Sequence, residues 1–164
     1  MTELVIQERV WNLNKSFNIS RGAKTTADTL QVHLIKDGER GLGECVPYSR
    51  YGETIDSVKN QIVKLKSDIE SEKIDLNNLS YYLKPGAARN VIDCAFWDLK
   101  CKIEKRNIWS LLGEEMPNTI QSCYTIVLNT PDKMIDDTKE HVNFPMLKVK
   151  LDQNNLEECL KGIR

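Results

Sequence analysis

The sequence predicts an α+β domain, a three-stranded antiparallel meander followed by helices, that leads into the first two strand–helix units of a parallel (β/α) barrel. Three observations predict it. Residues from Leu4 to about Cys45 alternate in character and are rich in β-branched and aromatic types, as half-buried strands are. From Thr54 to Leu112 apolar residues recur three and four apart, the helical period. From Thr119 strand-like and helix-like segments alternate, the grammar of a parallel sheet. The change of pattern near Pro117 divides the chain into residues 1–117, the α+β domain, and 118–164, the start of a barrel.

The elements follow in order. Val5, Gln7, Arg9 and Trp11 alternate with Ile6, Glu8 and Val10, and Phe17 and Ile19 continue the run until Ser20-Arg21-Gly22 interrupts it. A second strand runs from Thr26 to Ile35, with Leu30, Val32 and Leu34 on one face. Lys36-Asp37-Gly38-Glu39 is a hairpin turn, because Asp-Gly supplies the positive φ angles that a tight turn needs. Leu42 to Cys45 forms the returning strand. Thr54 caps a helix carrying Ile55, Val58, Ile62, Leu65 and Ile69. A shorter helix covers Leu76 to Leu83, and Pro85-Gly86 breaks it. A third helix has Ala88, Val91, Ile92, Ala95, Leu99 and Ile103 on its apolar stripe, and a short turn of helix ends at Gly113. Ile120 to Leu128 is a strand, Thr130-Pro131-Asp132 opens a helix, Met146 to Leu151 is a second strand, and Asn154 to Ile163 begins a further helix. A complete barrel has eight such units in about 250 residues, so this chain holds roughly a quarter of one.

The composition excludes several function classes. Lysine and arginine total 23 against 24 acidic residues, which gives no electrostatic case for nucleic acid. No stretch approaches the roughly 20 apolar residues of a membrane span, and the first residues lack the form of a signal peptide. Five cysteines with no C-x-x-C pair point to a reduced, cytoplasmic protein.

The sharpest feature is Leu147-Lys148-Val149-Lys150-Leu151. Two lysines separated by one residue of a strand point to the same side, roughly 6.5 Å apart. Two ammonium groups that close repel, so at least one has a lowered pKa, and its free amine can remove a proton next to a carboxylate. Taken alone, the pattern suits an exposed amphipathic strand with its lysines in water better than it suits a site.

Three segments give that strand a context. Gly43-Glu44-Cys45-Val46-Pro47-Tyr48-Ser49-Arg50-Tyr51-Gly52-Glu53 resembles the capping-domain loop of the dipeptide epimerases, in the enolase superfamily. Gly86 to Leu99, with Asp93, Cys94, Ala95, Phe96, Trp97 and Asp98, resembles their long capping-domain helix. Leu147 to Asp152 resembles the K-x-K-L strand of the muconate lactonizing subgroup. The resemblance covers the whole chain and implies an isomerase whose substrate is a small dipeptide, L-Ala-D/L-Glu. By the same resemblance Lys150 is the base that exchanges the α-proton on one face, and Lys148 is the neighbour that contacts the substrate carboxylate and depresses the pKa of that base. Thr125 resembles a substrate-contacting threonine, and Arg21 an arginine that faces the glutamate side-chain carboxylate with its planar guanidinium. Asp93, Trp97 and Asp98 are read as packing and pairing residues, and Tyr51 and Glu53 have no assigned role.

The resemblance also implies what is not in these residues. In the superfamily three acidic residues on the next barrel strands hold Mg²⁺, which stabilises the enolate, and a lysine on a later strand serves the opposite face. Asp152, Glu157 and Glu158 do not stand in those metal positions, so no metal site is assigned here and the chain alone is expected to be inactive. A homo-oligomer is expected, because barrel strands without neighbours seek cover. The alternatives are another superfamily member, a muconate cycloisomerase or an o-succinylbenzoate synthase, or a non-catalytic truncated product. The Gly-Glu-Cys-x-Pro-Tyr loop favours the epimerase.

Overall fold

A computed structural model describes residues 1–19, 22–152 and 156–161. The chain divides into two compact units, Met1–Trp11 with Ala27–Pro117, and Asn12–Thr26 with Asn118–Arg164. The far end of the first hairpin therefore groups with the later residues.

Three strands, β1 (Glu3–Ile19), β2 (Gly22–Lys36) and β3 (Glu39–Cys45), form an antiparallel sheet in the order β1-β2-β3. The β2–β3 register pairs Lys36 with Glu39 and Leu30 with Cys45. Between them Asp37 and Gly38 have φ of 54° and 81°, both left-handed, the two-residue turn the Asp-Gly pair predicts. As the central strand, β2 is buried on both faces over residues 29–34. Leu30, Val32 and Leu34 enter the apolar core with Leu4. Thr29, Gln31 and His33 fill the other face, where each meets a polar side chain of β1 or β3.

Helices cover the apolar face. In α1 (Ile55–Glu70) Thr54 Oγ1 accepts from the Ser57 N–H at 3.1 Å while Ser57 Oγ accepts from the Thr54 N–H at 2.9 Å, a reciprocal cap. Val58, Ile62 and Ile69 of α1 and Val91, Ile92, Ala95 and Leu99 of α3 (Ala87–Glu104) complete the core. α3 lies directly on β3. A Cβ on Gly43 would overlap the Val91 carbonyl oxygen, and one on Gly41 the Ala95 carbonyl oxygen. Asp98 fastens the same pair: its Oδ2 accepts from the Leu42 N–H and from Lys102 Nζ, both at 2.7 Å.

One expectation needs correction in this unit. The helix expected over Leu76–Leu83 is only α2, Leu79–Tyr82. The reason is local: Asp75 Oδ1 accepts from the N–H groups of Asn77 and Asn78, and Asn78 Oδ1 accepts from the Asp75 N–H, a turn that competes with helix. The returning strand expected over Leu42–Cys45 is present as part of β3, so the capping-loop segment begins with its last three residues, Gly43-Glu44-Cys45. A short helix α4 (Ile108–Leu111) follows and ends before Gly113 at φ 74°.

The second unit holds β4 (Cys123–Ile126), α5 (Pro131–Glu140), β5 (Met146–Val149) and α6 (Leu156–Lys161). The two strands pair in parallel, Cys123 with Met146 through Ile126 with Val149. The strand expected over Ile120–Leu128 is shorter because only four residues have a partner on β5. The ladder continues one step past β5, where the Lys150 N–H donates to the Ile126 carbonyl at 2.9 Å. Ile126 and Met134 are almost wholly buried, which seats α5 on the strand pair. Thr130 stands at the cap position of α5 without a side-chain cap hydrogen bond, and Pro131 opens the helix as its fixed φ favours.

Candidate active-site strand pair

Side chains alternate along β4. Tyr124 and Ile126 point toward α5: the Tyr124 ring stacks on His141 with centroids 3.6 Å apart, and its hydroxyl donates to Asp137 Oδ1 at 3.3 Å. Thr125 therefore points to the opposite face. Its register partner on β5 is Lys148. Register partners of neighbouring strands share a face, and Lys150, two residues on, returns to it. Thr125, Lys148 and Lys150 are thus brought to one side of the strand pair, the side away from α5.

The electrostatics follow from that placement. The Lys148 ammonium beside Lys150 holds the Lys150 pKa below the ordinary lysine value, with burial a smaller cause in the same direction. Repulsion of this kind makes an amine available as a base at a lower pH than a solitary lysine allows. The side chains of Cys123, Thr125, Met146, Lys148 and Lys150 include no carboxylate. A hard divalent cation wants several oxygen ligands, so these residues do not fit Mg²⁺. On the α5 side, Asp137, Glu140 and His141 bring ligand-type atoms within 4.8 Å of one another, but Lys15 already pairs with both carboxylates, at 3.1 and 3.4 Å.

Arg21, the fourth residue singled out from the sequence, lies outside the described residues. Glu44 is accounted for by the fold. Its Oε1 accepts from Thr29 Oγ1 at 2.6 Å and from Trp11 Nε1 at 2.7 Å, and the Thr29 hydrogen bond is the first cause that lowers its pKa. It is a tie across three strands. Glu53 has no role legible in the sequence, yet its Oε1 accepts from the Ala87 N–H at 2.7 Å at the start of α3. Only a bare glycine before that helix, Gly86, signals that a cap must come from elsewhere.

The fold agrees with comparisons to known proteins. The model of the mandelate racemase / muconate lactonizing enzyme N-terminal domain matches residues 1–113. The chain belongs to the mandelate racemase / muconate lactonizing enzyme family. A relative from Escherichia coli (strain K12), an L-Ala-D/L-Glu epimerase, is 36% identical over 166 residues, covering 100% of this chain and 51% of the relative. An N-acetyl-D-glutamate racemase from Pseudoalteromonas sp is 36% identical over 127 residues, 76% of this chain and 40% of the relative. A crystal structure of an enolase-family member from Agrobacterium tumefaciens with homology to dipeptide epimerases, holding sodium and L-Ala-L-Glu, superposes with a TM-score of 0.91 at 35% identity. That match covers 100% of this chain and 50% of the other. The chain thus spans about half the length of the family members it matches.

Proposed function

We propose that residues 1–164 are the N-terminal part of a dipeptide epimerase that inverts the α-carbon of the glutamate residue in L-Ala-D/L-Glu. One observation carries this reading: Lys150 shares a face with Lys148 and Thr125 and is depressed by Lys148. The identity to an L-Ala-D/L-Glu epimerase supports it.

In this reading the free amine of Lys150 takes the α-proton on one face. The Cα–H bond breaks, an N–H bond forms, and the electron pair moves into the adjacent carboxylate. Lys148 faces that carboxylate and keeps Lys150 short of its ordinary basicity, Thr125 contacts the substrate, and Arg21 faces the glutamate side-chain carboxylate. Mg²⁺ is the cofactor of the complete enzyme. Its ligands and the lysine that serves the opposite face are not assigned to this chain, so these residues alone do not turn over substrate. We place the protein in a reducing cytoplasm, in keeping with the free cysteines Cys45, Cys94, Cys101 and Cys123 and with the lack, among the described helices, of one able to cross a membrane. We also propose a homo-oligomer, with no nucleic-acid or membrane partner. The exposure of Ile120, Val142 and Met146 supports association, and sedimentation equilibrium tests it.

Proton exchange in D₂O, read by NMR at the glutamate α-carbon of L-Ala-L-Glu, tests the chemistry. In the complete enzyme that includes these residues, Lys150→Ala is expected to lower the rate by about 10²–10⁴, the range of a general base. Lys148→Ala is expected to weaken substrate binding and raise the pH that activity needs. Wild-type exchange in Lys150→Ala, or Mg²⁺-dependent exchange by residues 1–164 alone, overturns the reading. The Pseudoalteromonas relative favours a second reading, an N-acylglutamate racemase. The same assay with N-acetyl-D-glutamate separates the two.

A further inference from the structure

Glu53 reaches two elements at once. Its Oε1 accepts from the Ala87 N–H at 2.7 Å, and its Oε2 accepts from the Tyr48 N–H at 3.4 Å. The first N–H groups of a helix have no partner within it and carry partial positive charge. Gly86, at the cap position of the 18-residue α3, offers no side chain, so a carboxylate from a distant loop supplies the cap. The segment it belongs to, residues 46–53, is a loop with its own local order. The Tyr51 N–H donates to the Tyr48 carbonyl at 2.9 Å, and the Gly52 N–H to the Ser49 carbonyl at 3.0 Å. Gly52 takes the left-handed φ of 73° that turns the chain. The loop sends no side chain into the apolar core, and Val46 and Tyr51 are 52% and 77% exposed. Between loop and helix lies a cavity of about 310 Å³, lined by Val46, Tyr48, Tyr51, Ala87 and Asn90.

We propose that Glu53 is a latch whose contact with the start of α3 holds the 46–53 loop in place, and that the loop swings free when the contact is lost. Gly86 is the seat of the latch. A Cβ there would stand 2.8 Å from Glu53 Oε1. The Gly86 φ of 161° is extended backbone open to any residue, so alanine at 86 displaces the carboxylate without straining the chain. The inference rests on the epimerase reading only in taking residues 46–53 as part of the capping-domain loop they resemble. The latch itself is measured without substrate.

The experiment compares residues 1–164 with Glu53→Ala, Glu53→Gln and Gly86→Ala, by hydrogen exchange with mass spectrometry and by trypsin cleavage after the exposed Arg50. Loss of a cap is worth about tenfold in local opening, so exchange over residues 46–54 and cleavage after Arg50 should both quicken about tenfold in Glu53→Ala and in Gly86→Ala. Exchange at Val32 and Leu34 should not change. Glu53→Gln should show a smaller effect, because its amide oxygen still accepts while the charge is gone. Where Glu53→Ala fails to fold, Gly86→Ala decides. A loop that exchanges and cleaves at the wild-type rate in Gly86→Ala overturns the proposal. So does a Gly86→Ala variant in which Val32 and Leu34 quicken in step with the loop, which would make Glu53 a brace for the whole unit. In the complete enzyme that includes these residues, absence of dipeptide turnover with an intact latch sinks the epimerase reading alone, and a missing latch with turnover present sinks the latch alone.

Discussion

Thr125 of β4 and Lys148 of β5 are register partners in a parallel pair, and their side chains leave the same face. Lys150 stands on that face one pleat further along, where the Lys148 charge lowers its pKa. Lys148→Met is therefore expected to raise the Lys150 pKa toward about 10.4, the value of a lysine without such a neighbour. A ¹³C titration of labelled lysine ε-carbons reads the midpoint directly. An unchanged midpoint would show that the proximity of the two amines has no electrostatic consequence.

The glycines of β3 make a stability prediction. Gly43→Ala forces a methyl group into the Val91 carbonyl oxygen, a backbone atom that cannot step aside. The expected loss is about 3 kcal/mol or more, at the upper end of overpacking, seen as a lower urea midpoint. Gly38→Ala is the control. Its Cβ meets nothing within 4 Å, and only the φ of +81° is unfavourable, so about 1 kcal/mol is expected. Equal losses at the two positions would contradict the close approach of α3 to β3.

His33 gives the first unit an acid-sensitive point. The Arg40 Nε–H donates to His33 Nδ1 at 2.9 Å, so the neutral ring carries its proton on Nε2, which is buried without a hydrogen-bond partner. Burial is the main cause that lowers the His33 pKa, followed by the Arg40 and Arg9 charges that face it from β3 and β1. The unfolded chain takes up this proton near pH 6.5, while the folded chain resists to lower pH. Stability from this group is therefore complete above about pH 6.5 and falls as the pH drops from there toward the lowered folded value. Urea midpoints of wild type and His33→Gln should diverge in slope across that window, with the variant flatter. Parallel curves would remove His33 as the source.

Much of this protein is legible in the sequence because local rules and tertiary context agree there. Asp37-Gly38 can make few turns other than the one observed, Thr54 and Ser57 cap a helix wherever one begins, and Leu30, Val32 and Leu34 declare the inner face of β2 by period alone. The K-x-K pattern likewise puts Lys148 and Lys150 on one side of a strand through the two-residue repeat of the pleat. What the sequence did not determine depends on residues far apart in the chain. The pairing of Thr125 with Lys148 is set by register, which no local pattern encodes. The lengths of β4 and β5 are set by how many partners each finds across the ladder, so propensity alone overextends them. Glu53 and Ala87, 34 positions apart, meet only because β3, the loop and α3 pack together, and a carboxylate becomes a helix cap through that packing. Gly43 reads as a weak point in a strand until α3 arrives on top of it, at which point it is the only residue that fits.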